Sequence, residues 1–276
     1  MRLENIKTDL HTHGWTGQES GFGQFALKIL GERGKRNLQT IAEKGFEQKQ
    51  NTLIGFVNFD DTRYQKIVNT KGELPKGHNL YDDHVQRFVG VYDKGKNLWS
   101  FVLRGQEIST NKRHVLILGN NKEIARRTIE DVLKEAKDMN ALIVGDHILG
   151  LKGMGEDNIR DYKDEIDLIE YCNSNFPGQT EQAKKIGEKF CIPGLYNSDS
   201  HDLNRMFSSY MVFPELDFSN WGKLKQSIIG CAEDEGTICH AGKNRKFETP
   251  IHILSVYYNL LRQKIGVVKM PEYEIE

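Results

Sequence analysis

Residues 8–13 read "TDLHTH", which sets His11 and His13 two positions apart at the end of "NIKTDLH", a run with strand character. In a β-strand, residues i and i+2 point to the same side, so both imidazoles can converge on one point with little chain entropy left to lose. Two imidazoles make half a metal site. The missing donors must come from elsewhere in the chain, and that requirement decides the fold, because other strands have to end on the same face.

Other strand-like runs supply such ends. "RHVLILG" begins at His114, "ALIVGDH" ends at His147, and "YNSDSH" carries Asp199 and His201, again in period two. Glu107 closes "FVLRGQE", and Glu170 lies within "DLIEYC". If these strands run parallel, their C-terminal ends share one face, where barrel and open-sheet enzymes place their chemistry. His11, His13, Glu107, His147, Asp199 and His201 then line one cavity, and imidazole with carboxylate suits zinc, manganese or iron.

The rest of the chain fits such a sheet. "TLIGFVNF", "SFVLRGQEI", "HVLILG", "IDLIEYC", "PGLYNSD" and "YMVF" read as strands. Residues 121–139 carry Ile124, Thr128, Ile129, Val132, Leu133 and Ala136 on one stripe, with Asn120 or Asn121 as N-cap, which predicts a helix over that span. Weaker helical patterns cover 24–48, 179–190, 221–235 and 251–264. Strand, helix, strand in this order predicts a parallel sheet coated by helices, open or closed into a barrel. Neither GxGxxG nor GxxxxGK follows the first strand, which disfavours the nucleotide-binding open sheets. Residues 88–103 read as a hairpin turning at "DKGKN" and standing off or capping the main sheet. "GHNLYDDH", with His78, Tyr81 and His84, and "GERGKR" read as exposed loops.

Composition narrows the function classes. The 276 residues carry 38 Lys+Arg against 39 Asp+Glu, a formal net charge of −1. Without a long basic stripe, that balance disfavours an extended nucleic-acid track. Cys172, Cys191, Cys231 and Cys239 form no CxxC pair and read as reduced thiols. The apolar runs fall far short of the roughly 18 residues of a membrane helix, and "MRLENIK" lacks a signal-peptide core, so a cytoplasmic protein without membrane contact is expected.

In the order "DLHTH", "GQEIST" with "HVLILG", "ALIVGDHI", "IDLIEYCN" and "GLYNSDSHD", residues 8 to about 202 resemble the PHP (polymerase and histidinol phosphatase) family of metal-dependent phosphoesterases. The resemblance implies an α/β fold, a distorted (β/α)7 TIM-like barrel with two or three divalent ions at the C-terminal strand ends. One catalytic domain would span 1–276, with 216–276 completing its helical coat. The implied metal ligands are His11, His13, Glu107 as a bridge, His114, His147, Asp199 and His201, with Glu170 behind them. His11, Glu107 and His147, together with Asp9, form the expected catalytic set. Asp9 and Asp146 neighbour ligands and are candidates to orient them, while Lys152 and Arg205 are candidates for substrate phosphate oxygens.

Two departures from the family pattern bear on the metal count. "VNFDDT" puts Phe59 where a "TDHD"-like histidine is usual, leaving Asn58 or Asp60 as substitutes, and only Gln18 and Glu19 stand near the position of the usual aspartate after HxH. A two-ion centre is therefore expected. "ILGLKG" also follows His147 where a proline is common. The implied activity is hydrolysis of a small phosphomonoester by a metal-bridging hydroxide, without a covalent intermediate. The alternative is a nuclease or phosphodiesterase acting on single-stranded nucleic acid or nucleotides. A binding module with a degenerate centre has its only foothold in Phe59, and a metal amidohydrolase fits the DxH end and the Glu107–His114 spacing less well. Oligomeric state is not legible in the residues.

Overall fold

Side-chain alternation builds a barrel. The computed structural model describes residues 1–13, 37–59, 64–83, 85, 87–111, 113–125, 127–150, 152–174, 178–200, 203–234 and 236–241. The strands are β1 (Arg2–Thr12), β2 (Thr52–Phe59), β3 (His78–Asp82), β4 (Phe88–Asp93), β5 (Leu98–Ser109), β6 (His114–Leu118), β7 (Leu142–Gly145), β8 (Leu168–Asn173), β9 (Gly194–Asn197), β10 (Tyr210–Asp217) and β11 (Ile238–His240). Around them lie α1 (Leu38–Phe46), α2 (Tyr64–Val68), α3 (Ile129–Asp138), α4 (Gly155–Asp161), α5 (Thr180–Phe190) and α6 (Trp221–Glu233).

The ring runs β1, β2, β5, β6, β7, β8, β9. It closes through a parallel bridge between Thr12 and Ser200, where the His13 N–H donates to the Ser200 carbonyl at 2.8 Å. Pairings β1–β2, β2–β5, β7–β8 and β8–β9 are parallel, whereas β6 is antiparallel to both neighbours. This reversed strand distorts the expected (β/α)7 barrel. The interior is filled by Leu53 and Val57 of β2, Phe101 and Leu103 of β5, Leu116 and Leu118 of β6, Leu142 and Val144 of β7, Leu168 of β8 and Leu195 of β9. The opposite faces of these strands pack on two outer layers. One holds α3, α4 and α5 residues such as Val132, Ile159 and Ile186, and the other holds α1 and α2 residues such as Ile41 and Ile67.

Strand β1 carries the local feature that matters most. Asp9 pairs with Ile54, but the next matched pair is Thr12 with Phe56, so β1 holds one extra residue there. Such a bulge changes the phase of a strand. Ile6 and Leu10, even-numbered, face the interior before it; His11 and His13, odd-numbered, face the interior after it. Gly55 lies opposite, where a Cβ would meet the Leu10 carbonyl oxygen at 2.0 Å, and its own carbonyl accepts from Thr12 Oγ1 at 2.9 Å.

Three expectations are corrected. The hairpin at 88–103 does not stand off the sheet: β5 runs on to Ser109 as a barrel strand, pairing first with β4 and then with β6. Of "GHNLYDDH", residues 78–82 form β3, because Tyr81 packs against Phe88, Trp99 and Phe101. The helix predicted over 121–139 begins only at Ile129, capped by Thr128, whose side chain accepts from the Asp131 N–H. Asn120 is no cap. Its amide donates to Gln106 Oε1, which also accepts from the Ile124 N–H, and this pins residues 120–124 to β5 in a non-helical path. The pattern at 24–48 yields α1 alone, capped by Asn37, among the described residues; 179–190 and 221–235 become α5 and α6. "GERGKR", Asp60, Gln18, Glu19, His84, the helical pattern at 251–264 and everything past residue 241 fall outside the described residues. No helix among the described residues is long and apolar enough to cross a membrane.

Candidate metal centre

Each strand delivers its polar end group by continuing its interior phase past the last apolar residue. Thus Leu103 leads to Glu107 on β5, Val144 to Asp146 beyond β7, Leu168 to Glu170 on β8, and Leu195 to Asn197 and Asp199 at the end of β9. On β6 the order reverses. Because that strand runs the other way, its first residue, His114, lies at the same mouth. The side chains of His11, His13, Glu107, His114, Asp146, His147, Glu170 and Asp199 meet there, each residue at most 9% exposed.

Glu107 sits in the middle. Its Oε2 is 3.1 Å from His13 Nε2 and 3.9 Å from His11 Nε2. Its Oε1 is in close contact with His114 Nδ1 and 3.3 Å from His147 Nε2. Asp199 Oδ1 stands 3.4 Å from His11 Nε2 and 3.2 Å from His13 Nε2. The ligand-type atoms of His11, His13 and Glu107 lie within 4.8 Å of one another, and so do those of Glu107, His114, Asp146 and His147, and those of His11, Asp146 and Glu170. Asp199 itself has φ +47°, a left-handed conformation that aspartate tolerates and that other bulky residues avoid.

Partners behind the donors fix which nitrogen faces inward. His11 Nδ1 lies 2.9 Å from Glu170 Oε1, which leaves Nε2 toward the mouth. His114 Nε2 is held 3.2 Å from Ser109 Oγ, which leaves Nδ1 inward. Glu170 in turn accepts from the His147 backbone N–H at 2.9 Å, from Asn197 at 2.8 Å and from Asn173 at 3.2 Å. Asn173 also donates to Asp199 Oδ2 at 3.0 Å.

The electrostatics are those of a site short of positive charge. Burial alone would raise the Glu107 and Glu170 pKa values, but hydrogen bonds from His114, His13 and His147 hold Glu107 well below the carboxylate range, and His11 brings Glu170 down to about 2. Burial opposes charge on His11 and His147 too, yet the carboxylates facing them raise both well above the usual imidazole value. For Asp146 burial wins, and its pKa rises to about 7. Both Asp146 oxygens are buried and face imidazole nitrogens, His147 Nε2 at 3.1 Å and His11 Nδ1 at 3.4 Å. Mixed imidazole and carboxylate donors fit divalent cations.

Of the sequence-predicted ligands, the structure brings together His11, His13, Glu107, His114, His147 and Asp199, while His201 lies outside the described residues. Asp9, expected among the catalytic groups, does not join them. Upstream of the bulge it faces the other way, and its carboxylate accepts the backbone N–H groups of Ser198 at 2.9 Å and Phe207 at 2.7 Å. Its pKa is pushed up to about 6 by burial, against those hydrogen bonds. Lys152 is exposed, and its carbonyl holds the His114 backbone N–H at 3.0 Å. Arg205 is half-buried on the 3-10 turn Leu203–Arg205. Sequence reading missed Ser109, Asn173 and Asn197. Asn197 was within reach, since it precedes Asp199 by two residues in the same strand phase.

No family model matches the chain, and no curated protein matches it. Among solved structures it is similar to PsfC from Pseudomonas syringae PB-5123, with TM-score 0.53 and 15% identity over 95% of this chain and 100% of that one. It is similar to endonuclease Q in complex with a 27-mer duplex substrate bearing an abasic lesion at the active site, with TM-score 0.51 and 16% identity over 86% of this chain. A two-domain protein from Bacteroides vulgatus ATCC 8482 containing a predicted PHP-like metal-dependent phosphoesterase gives TM-score 0.52 and 10% identity over 88% of this chain. The chain spans 58% and 65% of the length of the last two. At these identities the likeness is one of fold: the chain shares the barrel of PHP-like proteins.

Proposed function

We propose that the chain is a metal-dependent phosphoesterase that hydrolyses a small phosphomonoester. The observation that carries this reading is Glu107, whose two carboxylate oxygens face separate imidazole groups, His11 with His13 on one side and His114 with His147 on the other. A carboxylate so placed can be shared by two cations. His11, His13, Glu107 and Asp199 would hold one, and Glu107, His114 and His147 the other.

A pair of divalent ions held there would supply a water acidified toward neutral pH and positive charge against the phosphoryl oxygens. The chain's own residues do the rest. Glu170 fixes the His11 tautomer so that Nε2 faces the mouth, and Ser109 does the same for His114 Nδ1. Burial of the whole donor set excludes bulk water, so charges there act through a low dielectric constant. Lys152 and Arg205 are the proposed partners of phosphate oxygens left unbound by metal.

The preference for a small substrate rests on the net charge of −1. A second reading, a phosphodiesterase acting on nucleic acid, is favoured by one finding, the fold shared with endonuclease Q, which is in complex with a 27-mer duplex substrate in its structure. The test is a panel of phosphomonoesters and oligonucleotides offered to manganese-loaded protein. Phosphate release from an aryl phosphate, abolished by His11→Ala, is the expected result; cleavage of oligonucleotides alone would transfer the assignment to the second reading.

A further inference from the structure

Asp146 lies buried beside His147, where its sequence position makes it a candidate to orient a ligand. Two roles are open to such a carboxylate beside metal-binding imidazoles: it can orient a histidine from behind, or it can be a ligand itself. An orienting carboxylate bonds the ring nitrogen opposite the one that faces the ion. Asp146 does the reverse. Its Oδ2 lies 3.1 Å from His147 Nε2, the same nitrogen that lies 3.3 Å from Glu107 Oε1. The position behind His11 is already taken, because Glu170 reaches His11 Nδ1 at 2.9 Å while Asp146 stands at 3.4 Å.

Two further observations point the same way. Asp146 is fully buried, where an ionised carboxylate needs positive charge beside it, and its oxygens face imidazole nitrogens, His147 Nε2 at 3.1 Å and His11 Nδ1 at 3.4 Å. Its oxygen also lies within 4.8 Å of the ligand atoms of Glu107, His114 and His147 together. Glu107 alone would have to serve both ions, which leaves the second ion with half a carboxylate against two positive charges.

We propose that Asp146 is a direct ligand of the second divalent cation, completing a set of two imidazole nitrogens and two carboxylate oxygens from His114, His147, Glu107 and Asp146. This rests on the reading of the mouth as a two-ion centre and adds to it a ligand that tightens one ion specifically. A four-donor set of this composition suits a first-row divalent ion such as zinc, manganese or iron.

The test uses Co²⁺, titrated into the metal-free full chain and into Asp146→Cys. If position 146 ligates, the cysteine variant shows a thiolate-to-cobalt charge-transfer band that saturates with one of the two bound equivalents. Two bound equivalents with no such band overturn the assignment. Should Asp146→Cys fail to give a native melt, Asp146→Asn decides. Loss of affinity for one equivalent by more than about 100-fold, with the other unchanged, supports a ligand, since losing an orienting partner costs roughly 10–100-fold. A smaller loss, or equal weakening of both equivalents, overturns it. Wild-type protein that binds no cobalt at all would instead sink the two-ion reading, and this proposal with it.

Discussion

His11 and His13 were readable from spacing alone, and so was the convergence of Glu107, His147 and Asp199, because each closes an apolar strand pattern. Asp9 was not, although it stands in the same odd-numbered phase as the two histidines. Only the extra residue between Asp9 and Thr12 separates their faces, and nothing in "TDLHTH" announces an insertion. What Asp9 does instead is testable. Its carboxylate accepts two backbone N–H groups that bracket the turn after Asp199. An amide can accept only with its oxygen, so Asp9→Asn sets an NH₂ group against one of these donors. We expect a loss of about 1–3 kcal/mol in denaturant unfolding, together with weaker metal binding and an unchanged number of ions bound. Full wild-type affinity in a destabilised variant would show that the turn does not depend on this contact.

At the scale of elements, strand positions were legible because β2, β5 and β6 carry short apolar runs rich in β-branched and aromatic residues between polar stretches, and helices α5 and α6 followed from their stripes. The reversed direction of β6 was overlooked, although the four residues between Ser109 and His114 are too few for the dozen or more that a parallel crossover needs. Thr110 stabilises this short connection by accepting from the Arg113 N–H at 3.0 Å. The bulge in β1 depends on a residue in its neighbour. Gly55→Ala would drive a Cβ into the Leu10 carbonyl, a backbone atom with no flexible end to yield. We expect destabilisation of about 1–3 kcal/mol and impaired metal binding, because relief of the clash shifts the strand that carries His11 and His13. A Gly55→Ala protein with wild-type melt and wild-type metal titration would show that the bulge tolerates a side chain here.

For the whole molecule, the question is how the ring closes. At the mouth, β1 meets the end of β9 through the Thr12–Ser200 bridge, while the first half of β1 pairs instead with β10. A polar knot holds that far end: Asp217 accepts from the Ser219 N–H at 2.9 Å and lies 3.4 Å from Arg2 Nε and 3.9 Å from the N-terminal ammonium. The Ser219 hydrogen bonds lower the Asp217 pKa to about 2. A carboxyl whose folded pKa is depressed contributes stability that is present above its unfolded value near 4 and lost as pH falls through about 2. Asp217→Asn should therefore lower the melting temperature at pH 7, and the gap to wild type should close between about pH 4 and pH 2. A gap that is constant over that range would assign the effect to packing.

The narrow closure at the mouth has an energetic sequel. His11 and His13 project from one side of that junction and Asp199 from the other, so an ion held by all three acts as a rivet through a riveted hoop's lap joint. Occupancy at 100 times the dissociation constant would tighten the hoop by about 2.7 kcal/mol. Starving the protein of cations would then loosen the staves of the vessel as well as empty it.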